Sequence, residues 1–344
     1  MVCSLNKIQD TWNNIQIVIM ERISKQIYNE IMKAKNILIV PHQNPDGDAL
    51  GSVSSLAHYF NRINKPYTVF CVTPMPINLT IYPHLIHPSS AEAIWQDKSF
   101  DVIIVMDSGD LKYAGIDKHV AKLEHEPIII NIDHHATNQK FGHYNLVMPS
   151  ASSASEIIYY FIKKNNIEID KKMASAIMLG LITDTENFTN PGTTVSSFTV
   201  ASDLIKKGAN FNLLKSLFLK NKTIPALKLW GTVLSRLEKN QVLDIVYTYI
   251  TQEDLILNQA SETEIEGITN FLNNLNEGRG ALILKQLEPG KIKGSFRTTR
   301  DDFDVSAIAK ILGGGGHRKA AGFTIPGTIE EALNKIWEEI KRTA

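Results

Sequence analysis

The sequence predicts an α/β protein. Its N-terminal part reads as a wound, mainly parallel sheet with helices on both faces. A helical connector and a smaller C-terminal α/β domain with a mixed sheet follow. Three observations carry this. Short β-branched runs such as Ile37-Leu38-Ile39-Val40 and Ile128-Ile129-Ile130 are of strand length and alternate with longer stretches of helical spacing. Strand signal then disappears between about residues 186 and 240, and it returns near 242–250, 280–286 and 291–297. The expected boundaries are therefore 1–188 for the first domain, 189–238 for the connector and 239–344 for the last domain.

Taken in order, residues 5–35 place Ile8, Trp12, Ile15, Ile19 and Ile23 at helical spacing and predict a packing helix. The run 36–40 is a buried strand ended by Pro41, and His42-Gln43-Asn44-Pro45-Asp46-Gly47-Asp48 follows it. The next helix buries Leu50, Val53, Ala57 and Phe60, with Asp48 expected as its cap. A strand at 67–72 leads into 73–90, where four prolines predict an irregular surface loop and solvated side chains for His84 and His87. The strand 102–106 runs straight into Asp107, and the strand opened by Pro127 runs into Asp133-His134-His135. Residues 150–161 begin with small hydroxyl residues and become an amphipathic helix. Residues 170–182 form another helix, interrupted near Gly180 and followed by Thr183-Asp184-Thr185 on a turn. Helices are expected at 194–206, 212–219 and 225–237, then at 262–274, 305–312 and 329–341, with Gly313-Gly314-Gly315-Gly316-His317 after the helix that ends at 312.

Composition narrows the function classes. An apolar fraction of 43% and a charged fraction of 21% describe a soluble globular chain, and no stretch approaches the ~20 apolar residues of a membrane span. The N-terminus lacks the apolar core of a signal peptide, and Cys3 and Cys71 are too few for a disulfide framework or a thiolate-rich zinc site. A cytoplasmic protein is expected. The 36 basic residues balance 36 acidic ones, without the basic excess of a protein that tracks a long polyanion. A phosphate-bearing substrate is therefore expected to be small or gripped at a few points.

Three strands of the first domain end in potential ligands: His42 with Asp46 and Asp48, then Asp107, then Asp133-His134-His135. In open parallel sheets the binding crevice lies beyond the carboxyl ends of the strands, so these residues are expected to converge there, with Asp184 as a further contributor. Carboxylates packed together raise one another's pKa values, and bound cations remove that penalty. Oxygen donors with some imidazole suit Mn²⁺ and, less well, Mg²⁺. The donors suffice for two ions if one carboxylate bridges, and Asp107 is the expected bridge. Two ions about 3.5–4 Å apart can hold a hydroxide for in-line attack on phosphorus, which makes phosphoester hydrolysis the favoured reaction class.

Four consecutive glycines carry a large entropic cost on folding. Followed by His317-Arg318-Lys319 and the small, apolar Ala320-Ala321-Gly322, they read as a backbone anion nest rather than a linker. Ser295-Phe296-Arg297 ends a nearby strand and offers a guanidinium for a second phosphate. A substrate held between a metal-binding and a phosphate-binding domain is the resulting expectation.

At this point the chain resembles the DHH phosphoesterase family. His42-x-x-Pro45-Asp46-Gly47-Asp48, Asp107-Ser108, Asp133-His134-His135 and Thr183-Asp184 resemble its four ordered motifs. Ser295-Phe296-Arg297 and Gly313 to Gly322 resemble its associated C-terminal domain. The size and layout are similar to the nanoRNase type, which cleaves very short oligoribonucleotides and often dephosphorylates 3′-phosphoadenosine 5′-phosphate. The resemblance implies one metal on His42, Asp46 and Asp107, and a second on Asp48, Asp107, His134 and Asp184. It further implies that His135 touches the scissile phosphate and that Asp133 orients its neighbours. Arg297 with Gly314, Gly315, Gly316 and His317 would hold the far phosphate, and a homodimer is common in the family. The chain departs from the family after Asp184, where Glu186-Asn187-Phe188-Thr189 replaces a small residue and an aromatic–basic pair. The competing readings are a cyclic or linear dinucleotide phosphodiesterase, a pyrophosphatase, and a non-catalytic nucleotide sensor; the glycine run argues against the second of these.

Overall fold

The computed structural model describes residues 20–96, 100–214, 223–265, 268–272, 275 and 277–343. The chain divides into two compact units, Met1–Phe218 and Leu219–Ala344. Of the first expected helix, residues 20–33 are helical (α1), while Ile8, Trp12, Ile15 and Ile19 lie outside the described residues. The same holds beyond residue 214 for the helix expected at 212–219.

The first unit is built on five parallel strands: β1 (Ile37–Pro41), β2 (Tyr67–Val69), β3 (Val102–Met106), β4 (Ile128–Asp133) and β5 (Tyr144–Val147), in the order β2-β1-β3-β4-β5. Because side chains alternate across a strand, each apolar run serves two cores. Ile37, Ile39, Ile104, Ile130 and Ile132 pack with α1, α2 (Gly47–Arg62), α4 (Ala154–Lys164) and α5 (Lys171–Asp184). Leu38, Val40, Ile103, Val105 and Ile129 face the other way, onto Phe70, Phe100, Ala114 and Ile116. That second face is covered by short pieces, a 3₁₀ turn at Glu92–Gln96 and α3 (Asp117–Val120), rather than by long helices. The order reverses between β1 and β3, so the topological switch point falls where His42 and Asp107 emerge.

Local chemistry differs from expectation in three places. Asp46, not Asp48, caps α2, accepting the Asp48 and Ala49 backbone N–H groups at 3.0 Å each. The loop after β2 is not wholly solvated, because it turns Leu79, Tyr82 and Leu85 into the core. Helix α5 is not interrupted at Gly180. It continues to Asp184, and a Cβ at Gly180 would lie 2.0 Å from Ser155 Oγ and 2.6 Å from Asp48 Oδ1. The glycine is there for close approach to α2 and α4, not to end the helix.

Strand β5, a four-residue edge strand with a polar centre, carries too little pattern to be read from sequence. Between β5 and the second unit, α6 (Val195–Lys206) starts with a capping box made by Thr194 and Ser197. The second unit is a six-stranded mixed sheet in the order β10-β11-β9-β8-β7-β6, comprising β6 (Glu238–Asn240), β7 (Ile245–Ile250), β8 (Gly280–Glu288), β9 (Lys291–Arg297), β10 (Gly315–His317) and β11 (Ala320–Pro326). Only β7 and β8 pair in parallel. One face packs Leu282, Leu284 and Phe296 against the helices Val305–Ile311 and Ile329–Thr343; the other packs Ala281 and Ile283 against the helix Ile224–Ser235. No helix among the described residues is long and apolar enough to cross a membrane.

Two glycine substitutions test this packing. Gly180→Ala should destabilise the first unit by about 1–3 kcal/mol, the range for overpacking a close contact. Gly231→Ala, within Ile224–Ser235 and with nothing within 4 Å of the added Cβ, should stabilise the second unit by about 0.5–1 kcal/mol. Urea denaturation followed by circular dichroism reads both signs.

Candidate metal centre

The carboxyl ends of β1, β3 and β4 stand side by side, with Pro41 opposite Met106 and Met106 opposite Ile132. The next residues along therefore form a row of His42, Asp107 and Asp133. Asp107 has φ +56, a left-handed conformation that costs a non-glycine residue about 1–3 kcal/mol and clusters at functional sites. Its backbone N–H is held by Ile132 O at 2.9 Å, and its side chain is almost fully buried.

One Asp107 oxygen, Oδ2, lies 3.6 Å from His42 Nε2; the other, Oδ1, lies 3.6 Å from His134 Nε2. His42 Nε2 is also 3.8 Å from Asp46 Oδ1, and His134 Nε2 is 3.4 Å from Asp184 Oδ2. Three overlapping groups of potential ligand atoms result, His42 with Asp46 and Asp107, Asp48 with His134 and Asp184, and Asp107 with Asp133, His134 and His135, each with all atoms within 4.8 Å of one another. Ligands bound about 2.1 Å from one ion lie about 3.0–3.5 Å apart, so these spacings suit coordination better than direct hydrogen bonding. The fit to a cation has a second support. Asp107 Oδ1 is buried without a hydrogen-bond partner, a costly arrangement that a cation would relieve.

The surroundings prepare each donor. His42 Nδ1 donates to Gln43 O at 2.8 Å, which turns Nε2 towards Asp46 and Asp107, and the Tyr113 ring stacks on the imidazole at 5.2 Å. Asp48 is fully buried, and its two oxygens accept the Ala154 and Ser155 N–H groups at 2.6 and 2.9 Å. These amides belong to the first turn of α4, whose positive end favours a carboxylate. Asp133 uses Oδ1 for the His134 N–H at 2.8 Å and His135 Nδ1 at 2.7 Å, and Oδ2 for Asn138 Nδ2 at 2.5 Å. Both its oxygens thus accept hydrogen bonds, as both Asp48 oxygens do, and Asp133 holds the His134 backbone and the His135 ring. Asp184 is the last residue of α5 rather than part of the turn beyond it. The following Glu186, Asn187 and Phe188 all have positive φ, and Phe188 stacks on Phe198. Asn190 Nδ2 donates to Asp184 O at 2.7 Å, so the residues that depart from the family pattern form a tied, left-handed turn.

Charge repulsion is written into these carboxyls. Burial, then the charges of Asp48, Asp46 and Asp184, raise Asp107 well above the usual carboxylate range. Burial and the charges of Asp48 and Asp46 push Asp184 up to about 8. Burial also raises Asp48. Asp133 goes the other way: burial alone would raise it, but hydrogen bonds from His135 and Asn138 hold its carboxyl below the usual range.

In the second unit, Arg297, Ala320 and His317 are register partners across β9, β11 and β10. Paired residues share a face, so Arg297 and His317 flank Ala320 on the same side, with Ser295, Gly322 and Gly315 forming the next row. The glycine run is thus partly a strand instead of the expected turn. Gly316 has φ +143, and a Cβ there would lie 2.5 Å from Ala320 O; at Gly314 it would lie 2.1 Å from Gly322 O. Glycine is needed there so that β10 can lie against β11. The face bearing Arg297 and His317 is lined by Ser, Ala and Gly, and Gly315 has nothing within 4 Å of its missing Cβ.

The structure brings together His42, Asp46, Asp48, Asp107, Asp133, His134, His135 and Asp184 in the first unit; in the second it places Arg297 on one sheet face with Gly315 and His317, while Gly316 pairs with Ala321 in the alternate row. His84 and His87 join no ligand group among the described residues. Sequence reasoning missed three supports: Tyr113, Asn138 and the amides of Ala154 and Ser155. Only the last had a signal, the small hydroxyl residues that open α4.

The sheet order, the strained Asp107 and the carboxylate–imidazole cluster define an α/β protein with a candidate metal-binding site at its switch point. Residues 36–181 match the DHH family N-terminal domain and residues 245–343 match the DHHA1 domain; the chain belongs to the DHH family. It is similar to the bifunctional oligoribonuclease and PAP phosphatase NrnA of Thermus thermophilus, at 26% identity over 315 residues, 91% of this chain and 92% of that one. It is equally similar to the probable bifunctional oligoribonuclease and PAP phosphatase NrnA of Streptococcus mutans, at 26% over 321 residues, 92% and 97% of the two chains. Among solved structures, an exopolyphosphatase-related protein from Bacteroides fragilis superposes with a TM-score of 0.83 at 26% identity, over 93% of this chain and 96% of that one.

The raised carboxyls make a signed prediction for the metal-free protein. Between the ordinary value of 3.8 and about 8, the folded chain holds a proton on Asp184 that the unfolded chain has lost. Stability contributed by this cluster must therefore fall as pH rises through that window. In EDTA, Tm should decline from pH 5 to pH 8 more steeply than in Asp184→Asn, and Mn²⁺ should reverse the decline in the wild type. Equal slopes for the two proteins would refute the repulsion.

Proposed function

We propose that the chain is a two-metal phosphoesterase that hydrolyses short oligoribonucleotides to mononucleotides and 3′-phosphoadenosine 5′-phosphate to AMP. The observation that carries the chemistry is the Asp107 carboxylate, whose two oxygens face different histidines and one of which is buried without a hydrogen bond. The substrate class rests on end-to-end similarity to relatives named for both activities, across both matched domains. The neutral net charge supports a substrate of a few nucleotides rather than a long strand.

His42, Asp46 and Asp107 would hold one ion; Asp48, Asp107, His134 and Asp184 would hold the other. Two Mn²⁺ ions, or Mg²⁺ less well, would supply charge neutralisation and Lewis acidity at the phosphoryl group. His135, with 45% of its side chain exposed and its Nδ1 tied to Asp133, would offer the opposite ring edge to a phosphoryl oxygen. Residues 1–188 would then be the catalytic domain and 239–344 the substrate-binding domain, with 189–238 as connector. Arg297 and His317, on one face of the second sheet, would grip a phosphate remote from the reacting one.

A single panel with Mn²⁺ tests this: a dinucleotide, a five-nucleotide RNA, a long single strand, 3′-phosphoadenosine 5′-phosphate, a cyclic dinucleotide and pyrophosphate. The short RNAs and the nucleotide should be hydrolysed fastest. A preference for the cyclic dinucleotide would replace the proposed substrate, and nucleotide binding without any turnover would make the chain a sensor. Asp107→Ala should lower kcat by about a thousandfold or more, equivalent to the several kcal/mol that metal electrostatics supply. Arg297→Ala should raise KM about tenfold with kcat nearly unchanged, the loss of one charge-assisted contact away from the chemistry.

A further inference from the structure

The loop that follows Asp133-His134-His135 contains a residue, Asn138, whose side chain is hydrogen-bonded to two of the strand ends that build the site. Asn138 Nδ2 donates to Asp133 Oδ2 at 2.5 Å and to Ser108 O at 3.0 Å, the carbonyl next to Asp107. Its Oδ1 accepts the Lys140 N–H at 2.7 Å and Asn131 Nδ2 at 2.8 Å. The backbone N–H of Lys140 can only donate, so it fixes which end of the amide is oxygen and leaves Nδ2 facing the carboxylate. Asn131 is fully buried within β4 and is itself bonded to Asn145 Oδ1 at 3.2 Å, so Asn138 is held from behind. Asn138 also closes its own loop, its N–H donating to His135 O at 3.1 Å.

These contacts run in one direction. Asn131 orients Asn138, Asn138 fixes one oxygen of Asp133, and the other oxygen of Asp133 receives the His135 ring. A carboxylate with one oxygen free can rotate about its terminal torsion and carry the imidazole with it. With Oδ2 pinned, that rotation is blocked, and a misplacement of a reacting group by about 1 Å can cost about a hundredfold in rate.

We propose that Asn138 is a positioning residue for phosphoester hydrolysis, acting through Asp133 to aim the His135 imidazole at the phosphoryl oxygen. The side-chain hydrogen bonds of Asn138 go to Asp133, Asn131, Lys140 and Ser108 O and to no side chain of the proposed metal ligands, so its main effect falls on the His135 ring that Asp133 holds. The proposal rests on the role given to His135 above.

The test combines activity with two measurements that do not require turnover. Asn138→Ala should lower kcat on the preferred substrate about 10- to 100-fold, the usual cost of removing an outer hydrogen-bond partner, with KM nearly unchanged. In a His135→Gln background the same substitution should change kcat within about twofold, because the residue it acts through is gone. Mn²⁺ affinity, measured by electron paramagnetic resonance, should stay within about twofold of wild type. In the metal-free protein, the hydrogen-bonded His135 ring N–H should give a downfield proton resonance, assigned by its loss in His135→Gln. Asn138→Ala should shift or broaden that resonance. Asn138→Ser, which keeps a donor hydroxyl, carries the same comparisons if the alanine variant does not fold. Additive effects in the double variant, or an unchanged ring N–H resonance, would overturn the proposal. If the wild-type protein hydrolyses nothing in the panel, the proposed function fails, and the resonance alone decides whether Asn138 aims His135.

Discussion

The first unit depends on one electrostatic constraint: several carboxylates converge on a buried point where they repel one another. Asp107 is at its centre, almost wholly buried, with one oxygen lacking any hydrogen bond and with a left-handed backbone. A fold maximising stability would put an apolar residue or an amide there. Retaining a strained, uncompensated acid in that position makes sense where a divalent cation completes the structure, as the spacing of the two histidines on either side of it also indicates.

The remaining architecture holds those acids in place despite the repulsion. Asp48 is anchored by two amides at the start of α4, and that start is in turn tied down by the buried Glu156, which accepts Ser152 N and Oγ at 2.8 and 2.6 Å. Asp184 is brought within reach because α5 passes close to α2 and α4 at Gly180. Asp133 is held by Asn138 and the two histidine contacts. Asp48 and Asp133 are therefore oriented by backbone groups, an amide and an imidazole rather than by a lysine or arginine. The first unit accordingly gathers carboxylates and imidazoles, while the second unit presents its guanidinium and imidazole on a face of small side chains.

Much of this was legible in the chain. Strand-length β-branched runs ending in His42, Asp107 and Asp133 defined a parallel sheet with acids at one edge, because alternation and strand length are local properties. Less legible were features decided by approach. Gly180 looked like a helix interruption, since a glycine has the same letter whether it ends a helix or lets another helix near. Asp48 looked like a cap, since an acid beside a helix start satisfies that rule wherever its side chain turns. The glycines at 313–316 looked like a turn, and their pairing with β11 became visible only in the sheet register.

The sequence by itself determined which elements form and which donors stand at their ends: ligand types, order and the two-domain plan all follow from neighbours along the chain. Only the tertiary structure decided how the hydrogen bonds of each acid are satisfied. Asp133 and Asp107 are both acids at strand ends, both buried, and no local pattern separates them. They differ because Asn138 and the His135 ring reach Asp133 from its own loop, whereas Asp107 Oδ1 is met by no donor within hydrogen-bonding distance. That difference is a matter of which groups arrive from elsewhere in space, and hydrogen-bond satisfaction in a buried site is settled only when all of them are in place.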